Sequence, residues 1–130
     1  MKTDRTPPIR VLIADDHQLF AEALATILDL EERLEVVGRA ADGREAVERA
    51  RELTPDVILL DISMPVLDGL EAAEEIVQLP GPPAILMLTG SNAPQDVDRA
   101  RRAGANGYVT KDAIAGRLVD AILEAADQRR

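Results

Sequence analysis

Two short runs near the middle of the chain constrain its fold most. Residues 56–60 (Asp-Val-Ile-Leu-Leu) and 84–88 (Ala-Ile-Leu-Met-Leu) hold no polar residue after Asp56. A strand with one wet face alternates apolar and polar residues. An unbroken apolar run instead marks a strand covered on both faces, the position of a central strand in a parallel sheet. Each run stops at a polar residue, Asp61 and Thr89.

The remaining segments supply partners for these two. Residues 9–14 and 34–40 read as further strands, and 106–110 as a fifth that ends at Lys111. Between them lie stretches of helical spacing. Residues 17–29 place Leu19, Phe20, Ala23, Leu24, Ile27 and Leu28 on one side, and 44–53 do the same with Ala46, Val47, Ala50 and Leu53. Asp42-Gly43 precedes that second helix as a turn or cap, and Thr54-Pro55 stops it. Asp68 caps a helix running to about Gln78, the cluster Pro80-Gly81-Pro82-Pro83 breaks the chain, and helices follow near 94–103 and over 113–127. Five β-then-α units predict an α/β three-layer sandwich, a parallel sheet with helices on both faces. Right-handed crossovers leave few topologies, and for five strands the flavodoxin-like (βα)5 order 2-1-3-4-5 is the expected one. A chain of 130 residues fits a single domain, with a structured core of about residues 8–128 and no second, effector domain.

Composition narrows the function. The absence of cysteine excludes disulfides and thiolate metal sites. A formal net charge of -9 argues against direct contact with nucleic acid, which depends on Lys and Arg neutralising phosphates. No apolar run reaches membrane-spanning length, and the polar, proline-bearing start from Met1 to Arg10 lacks a signal-peptide core. These features predict a cytoplasmic chain without membrane contact.

Ligands of doubly wound sheets bind beyond the carboxyl ends of the strands, at the switch point between the first and third. That rule selects Asp15 and Asp16 after strand 1, Asp61 at the end of strand 3, Thr89 after strand 4 and Lys111 after strand 5; only strand 2 ends without chemistry. Three crowded carboxylates need a cation, or their pKa values must rise. Oxygen ligands with open positions suit Mg²⁺. An ammonium and a hydroxyl beside a carboxylate nucleophile complete the inventory for forming an aspartyl phosphate. Singly, each residue has a plainer reading as a helix cap, turn or surface charge; their coincidence at one rim carries the argument.

These residues resemble a known family. Val11-Leu12-Ile13-Ala14-Asp15-Asp16, Asp61-Ile62-Ser63-Met64-Pro65-Val66-Leu67-Asp68-Gly69, Thr89 and Tyr108-Val109-Thr110-Lys111 are similar to the motifs of response-regulator receiver domains of two-component signalling. The resemblance extends from Ile9 to Gln128. It implies that Asp61 accepts a phosphoryl group from a sensor histidine kinase. It also implies that Asp16, Asp61 and the Ser63 carbonyl ligate Mg²⁺, with Asp15 acting through a bound water. Lys111 would pair with Asp61 and then with the phosphoryl group, while Thr89 and Tyr108 would switch position. Slow self-dephosphorylation would reset the state. Many receivers carry proline after the lysine; here Asp112-Ala113 follows. With Asp15-Asp16-His17, this is similar to the NarL/FixJ (LuxR-type) branch, whose members usually carry a C-terminal helix-turn-helix. The open helical end Asp127-Gln128-Arg129-Arg130 fits a piece of a longer protein of that kind.

Other features read as structural. His17, the single histidine, is expected to start the first helix and tune the nearby acids. In the last helix Ile114, Leu118, Ile122 and Ala125 form one stripe, and Val119, Leu123 and Ala126 an adjoining one. The second stripe predicts a homodimer or effector contact. An aspartyl-phosphate phosphatase of the haloacid dehalogenase kind would need an acid two residues after Asp61, where Ser63 stands. A nucleotide-binding module would need a glycine-rich loop after strand 1, which is missing.

Overall fold

The computed structural model describes residues 7–90 and 94–129; most of the polar start falls outside them, as does Arg130. Five parallel strands, β1 (Ile9–Ala14), β2 (Leu34–Ala40), β3 (Val57–Asp61), β4 (Ala84–Thr89) and β5 (Gly107–Thr110), form one sheet in the order β2-β1-β3-β4-β5. The helices are α1 (Gln18–Asp29), α2 (Gly43–Leu53), α3 (Gly69–Ile76), α4 (Pro94–Arg102) and α5 (Ile114–Arg129).

Every residue of β3 and β4 is buried. Their side chains alternate between two cores, as strand geometry requires. Val57, Leu59, Leu86 and Leu88 join Val11 and Ile13 under α1 and α5. Ile58, Leu60, Ile85 and Met87 join Leu12 and Ala14 in a second core with α2, α3 and Ala100 of α4. The missing polar alternation thus has its expected cause.

The helix starts are set locally. Asp42 accepts a hydrogen bond from Glu45 N at 2.8 Å. Asp68 accepts one from Glu71 N at 2.9 Å while Glu71 reaches back to Asp68 N, a reciprocal box satisfying two orphan donors. This confirms the structural reading of Asp68. The third helix ends at Ile76, short of Gln78. Lys111 begins a 3-10 turn, Lys111–Ala113, before α5 starts.

The second stripe of α5 contributes in part to the core. Ala126 is buried, and Val119 and Leu123 are half-buried against the same core as the first stripe. The extra apolar residues help seat α5 on the sheet, with part of Val119 and Leu123 still accessible.

Candidate functional site

β1 and β3 are neighbours, and their ladder pairs Ala14 with Leu60. The next residue of each strand, Asp15 and Asp61, therefore leaves the sheet side by side; each is only 3% exposed. Alternation along β3 turns Asp61 to the side of Val57 and Leu59, the face covered by α1. Each carboxylate spends one oxygen on a backbone donor. His17 N–H donates to Asp15 Oδ1 at 2.8 Å, and Ser63 N–H to Asp61 Oδ1 at 3.2 Å. The second oxygens, Asp15 Oδ2 and Asp61 Oδ2, are buried without a hydrogen bond.

Lys111 Nζ stands 3.3 Å from Asp15 Oδ2 and 3.5 Å from Asp61 Oδ2. These are ion-pair separations, longer than the roughly 2.8 Å of a well-formed charge-assisted hydrogen bond. One ammonium is thus shared between two anions. Its other side rests on the Phe20 ring, 4.6 Å from the centroid, a cation–π contact that fixes the charge in place. Burial, and after it the charge of Asp15, push the Asp61 carboxyl up from 3.8 to about 6, against the pull of Lys111 and of the Ser63 N–H. The pocket is short of positive charge.

Asp16 lies at the rim, exposed, and completes an acidic cluster. One ligand atom each from Asp15, Asp16, His17 and Asp61 lies within 4.8 Å of the others. Two buried carboxylate oxygens lacking donors and a third acid facing solvent fit a hard divalent cation that retains some water.

The loop after β3 is held tightly against the site. Gly69 N–H donates to the Ile62 carbonyl at 2.8 Å, and a Cβ on Gly69 would overlap the Asp61 carbonyl oxygen and sit 2.7 Å from Ile62 Cα. Only glycine permits that approach. Met64 is turned into the second core, while Ser63 stays exposed. Thr89, 7% exposed, ends β4 one residue beyond Leu88, the partner of Asp61 across the ladder. Gly90 follows with open space around it. Tyr108 stands apart from the carboxylates: it is 41% exposed and lines a groove with Val97, Ala100 and Arg101 of α4.

The structure thus brings together Asp15, Asp16, Asp61 and Lys111, sets Thr89 and Ser63 on the adjoining loops, and turns Tyr108 outward. One participant was not legible in the sequence as such. Phe20 reads there as a core residue, and its stacking on Lys111 joins residues far apart in the chain. His17, expected to start the first helix and tune the nearby acids, stands beside them. Its Nδ1 is 3.2 Å from Asp15 Oδ1, 3.3 Å from Asp16 Oδ1 and 3.9 Å from Asp61 Oδ2.

Known proteins resemble this chain in sequence and fold. Residues 11–123 match the family described as the response regulator receiver domain. The chain is 40% identical over 122 residues to the uncharacterized transcriptional regulatory protein YvfU of Bacillus subtilis, covering 94% of this chain and 61% of that one. It is 41% identical over 118 residues to the transcriptional regulatory protein LiaR of the same organism, covering 91% and 56%. The chain therefore spans less than two-thirds of the length of these curated relatives. Among solved structures, the receiver domain of the response regulator NarL from Mycobacterium tuberculosis superposes with a TM-score of 0.88 at 35% identity, covering 94% of this chain and 98% of that one. With the sheet order, the paired acids and the lysine in place, and with a match spanning nearly all of the folded core, the chain belongs to the response-regulator receiver-domain family and has NarL/LuxR-type regulators among its relatives.

Proposed function

We propose that this receiver works as a phosphoryl-controlled switch whose acceptor is Asp61. The observation that carries the reading is the pair of buried carboxylates, Asp15 and Asp61, sharing a single ammonium and each holding one oxygen without a hydrogen bond. Such a site is poor at resting and suited to receiving further positive charge together with a phosphoryl group.

A carboxylate oxygen of Asp61 attacks phosphorus of a phosphohistidine on the sensor kinase. The new bond is P–O, the P–N bond breaks, and the histidine nitrogen keeps the electron pair. Lys111 meets the incoming negative charge, and the Ser63 N–H holds the carboxylate in orientation. Asp16, Asp61 and the Ser63 carbonyl would hold Mg²⁺, with Asp15 acting through water. When bound, Mg²⁺ supplies the charge that lets a polyanionic donor approach three acids. The modification adds about 1.5 to 2 negative charges. Thr89 then bonds a phosphoryl oxygen and Tyr108 turns inward from its exposed groove, a population shift of the loops after β3 and β4. Taking the domain from mostly off to mostly on requires about 5.5 kcal/mol of differential stabilisation. Slow hydrolysis at the same site resets it. The receiver is therefore a participant in transfer, its chemistry confined to its own acyl phosphate.

Residues 8–128 form the whole switch as one domain, and its output, we infer, is a C-terminal helix-turn-helix that binds DNA, in keeping with longer relatives named transcriptional regulatory proteins. We place it in the cytoplasm; among the described residues no helix is long and apolar enough to cross a membrane. Pairing of two copies through α5 rests on the half-buried Val119 and Leu123. Light scattering with a phosphoryl mimic tests it: a monomer at all concentrations in both states removes the dimer.

The decisive test of the switch is mass spectrometry after treatment with acetyl phosphate and Mg²⁺. One phosphoryl increment on the native chain, absent from Asp61→Asn, is the expected result. An increment retained by Asp61→Asn would overturn the assignment.

A further inference from the structure

His17 has two local features that its place at a helix start does not explain. It occupies the N-cap position of α1 with extended backbone, yet its side chain makes no cap hydrogen bond. Instead the ring turns back over the acids. Its backbone N–H is tied to Asp15 Oδ1 at 2.8 Å, so the residue is held where it stands. The ring is 65% exposed and accessible to ions from solution.

The distances around Nδ1 are informative. At 3.2, 3.3 and 3.9 Å from Asp15, Asp16 and Asp61 oxygens, the nitrogen is shared among three acceptors. The Asp15 contact lies at hydrogen-bond distance, though all three exceed the roughly 2.8 Å of a well-formed charge-assisted hydrogen bond. Ligand atoms around one metal ion, each about 2.1 Å from it, lie about 3.0 Å apart in octahedral and about 3.4 Å apart in tetrahedral coordination. The 3.3 Å separation from Asp16 Oδ1, a proposed metal ligand, matches neighbouring ligands of a common ion. The buried, unbonded oxygens of Asp15 and Asp61 supply the independent sign that this cluster is built to receive one.

We propose that His17 Nδ1 is a metal ligand that makes this site selective for first-row transition ions, such as Mn²⁺, Co²⁺, Ni²⁺ or Zn²⁺, over Mg²⁺. The inference rests on the reading of the acidic cluster as the divalent-metal site. Imidazole suits these borderline ions and adds affinity in the order Mn²⁺ to Ni²⁺, whereas Mg²⁺ prefers oxygen and keeps its waters. A hard ion therefore uses the carboxylates and leaves His17 aside, while a softer one recruits the ring. The kind of metal present would then decide whether His17 stays free beside the phosphoryl position or is drawn across it.

The chain suits the test, because it contains one histidine and no cysteine; no other side-chain imidazole or thiolate can mimic the effect. Isothermal titration of the untagged protein with Mg²⁺ and separately with Ni²⁺, for the native chain and for His17→Ala and His17→Asn, reads the selectivity. The expected result is a fall in Ni²⁺ affinity of about ten- to a hundredfold in both variants, with Mg²⁺ affinity within about threefold of native. In the native chain, cobalt d–d absorption should also shift on binding and lose that shift in His17→Ala. A Ni²⁺ affinity that changes by less than about threefold overturns the proposal. Equal losses for both metals also overturn it, because His17 would then only position the carboxylates. Failure of Mg²⁺ to bind the native chain strikes the parent reading of the acidic cluster, whereas normal Mg²⁺ binding with unselective variants strikes His17 alone.

Discussion

Strand β3 is bracketed by two aspartates with opposite fates. Asp56, at the amino end, is fully engaged. Its Oδ2 accepts from Arg10 N–H at 2.9 Å, and its Oδ1 from Arg129 Nη1 at 3.1 Å. Arg129 also donates to the carbonyls of Pro82 at 2.9 Å and Gly81 at 3.2 Å. Asp61, at the carboxyl end, lies buried with one oxygen unbonded and shares a lysine with Asp15. The amino rim spends its polar groups on holding the end of α5 to the sheet. The carboxyl rim leaves Asp15 and Asp61 only partly compensated, with one ammonium between two buried carboxylates, which costs stability and leaves them available to a cation and a phosphoryl donor. Buried charge with too little counter-charge is strained in this sense wherever a site must wait for its ligand.

The largest expected effect probes what keeps the partly compensated rim in shape. Gly69→Ala forces a methyl group into backbone atoms of Asp61 and Ile62 that cannot move like a side-chain tip. A loss of roughly 3 kcal/mol or more is expected from such overpacking, measured by urea denaturation. Gly90→Ala, with open space around its site, should change stability by no more than roughly 0.5 kcal/mol. Equal tolerance at both positions would break the claim that the loop after β3 is clamped to the acceptor.

Next in size is the electrostatic cost of Asp61 itself. Its folded carboxyl titrates near 6 against 3.8 ordinarily, mainly through burial. The folded state therefore binds this proton more tightly than the unfolded chain does. Without metal, the contribution of Asp61 to stability improves as pH falls from above 6 towards 4, the reverse of a salt-bridged aspartate. Above pH 6 the charge costs at most about 3 kcal/mol, at 1.36 kcal/mol per unit. Asp61→Asn should recover part of this in chelator at pH 7.5, raising the thermal midpoint by several degrees. The gain should shrink near pH 4.5 and in the presence of Mg²⁺, which stabilises only the native chain strongly. A variant less stable than native at pH 7.5 would show that the rim is not short of positive charge.

What the sequence disclosed follows the same division. Strand ends and cap signals are local, so Asp15, Asp16, Asp61, Thr89 and Lys111 could be placed at one rim from period and topology alone. The unbroken runs marked β3 and β4 as central strands, and the βα alternation with right-handed crossovers carried the sheet order. The amino rim was silent, because Arg129 and Asp56 are 73 residues apart and no periodicity joins an arginine at a helix end to a residue before a strand. Phe20 was hidden for a related reason: an aromatic at helical spacing reads as core, and it is half-buried there. The second stripe of α5 was read from helical spacing, which counts apolar residues and says nothing of how deeply the helix sits. Val119 and Leu123 meet the core that Leu118 and Ile122 fill.

The smallest expected effect tests the compensated rim. Arg129→Ala removes two bonds to carbonyls and an ion pair whose partners are each about one-third exposed, 33% and 36%. Exposed pairs contribute little after screening, and the backbone bonds add modestly, so a loss of about 1 kcal/mol is expected. Salt should separate the two rims. The ionic part of the Arg129 effect weakens as ionic strength rises, since solvent reaches both partners. The Asp61→Asn gain should persist, because Asp15 and Asp61 are shielded from counterions. Measuring both variants by denaturation at low and high salt therefore asks whether the two aspartates of β3 differ in burial or only in partner. A gain at Asp61 that vanished with salt would place its cost in screened surface repulsion and remove the distinction.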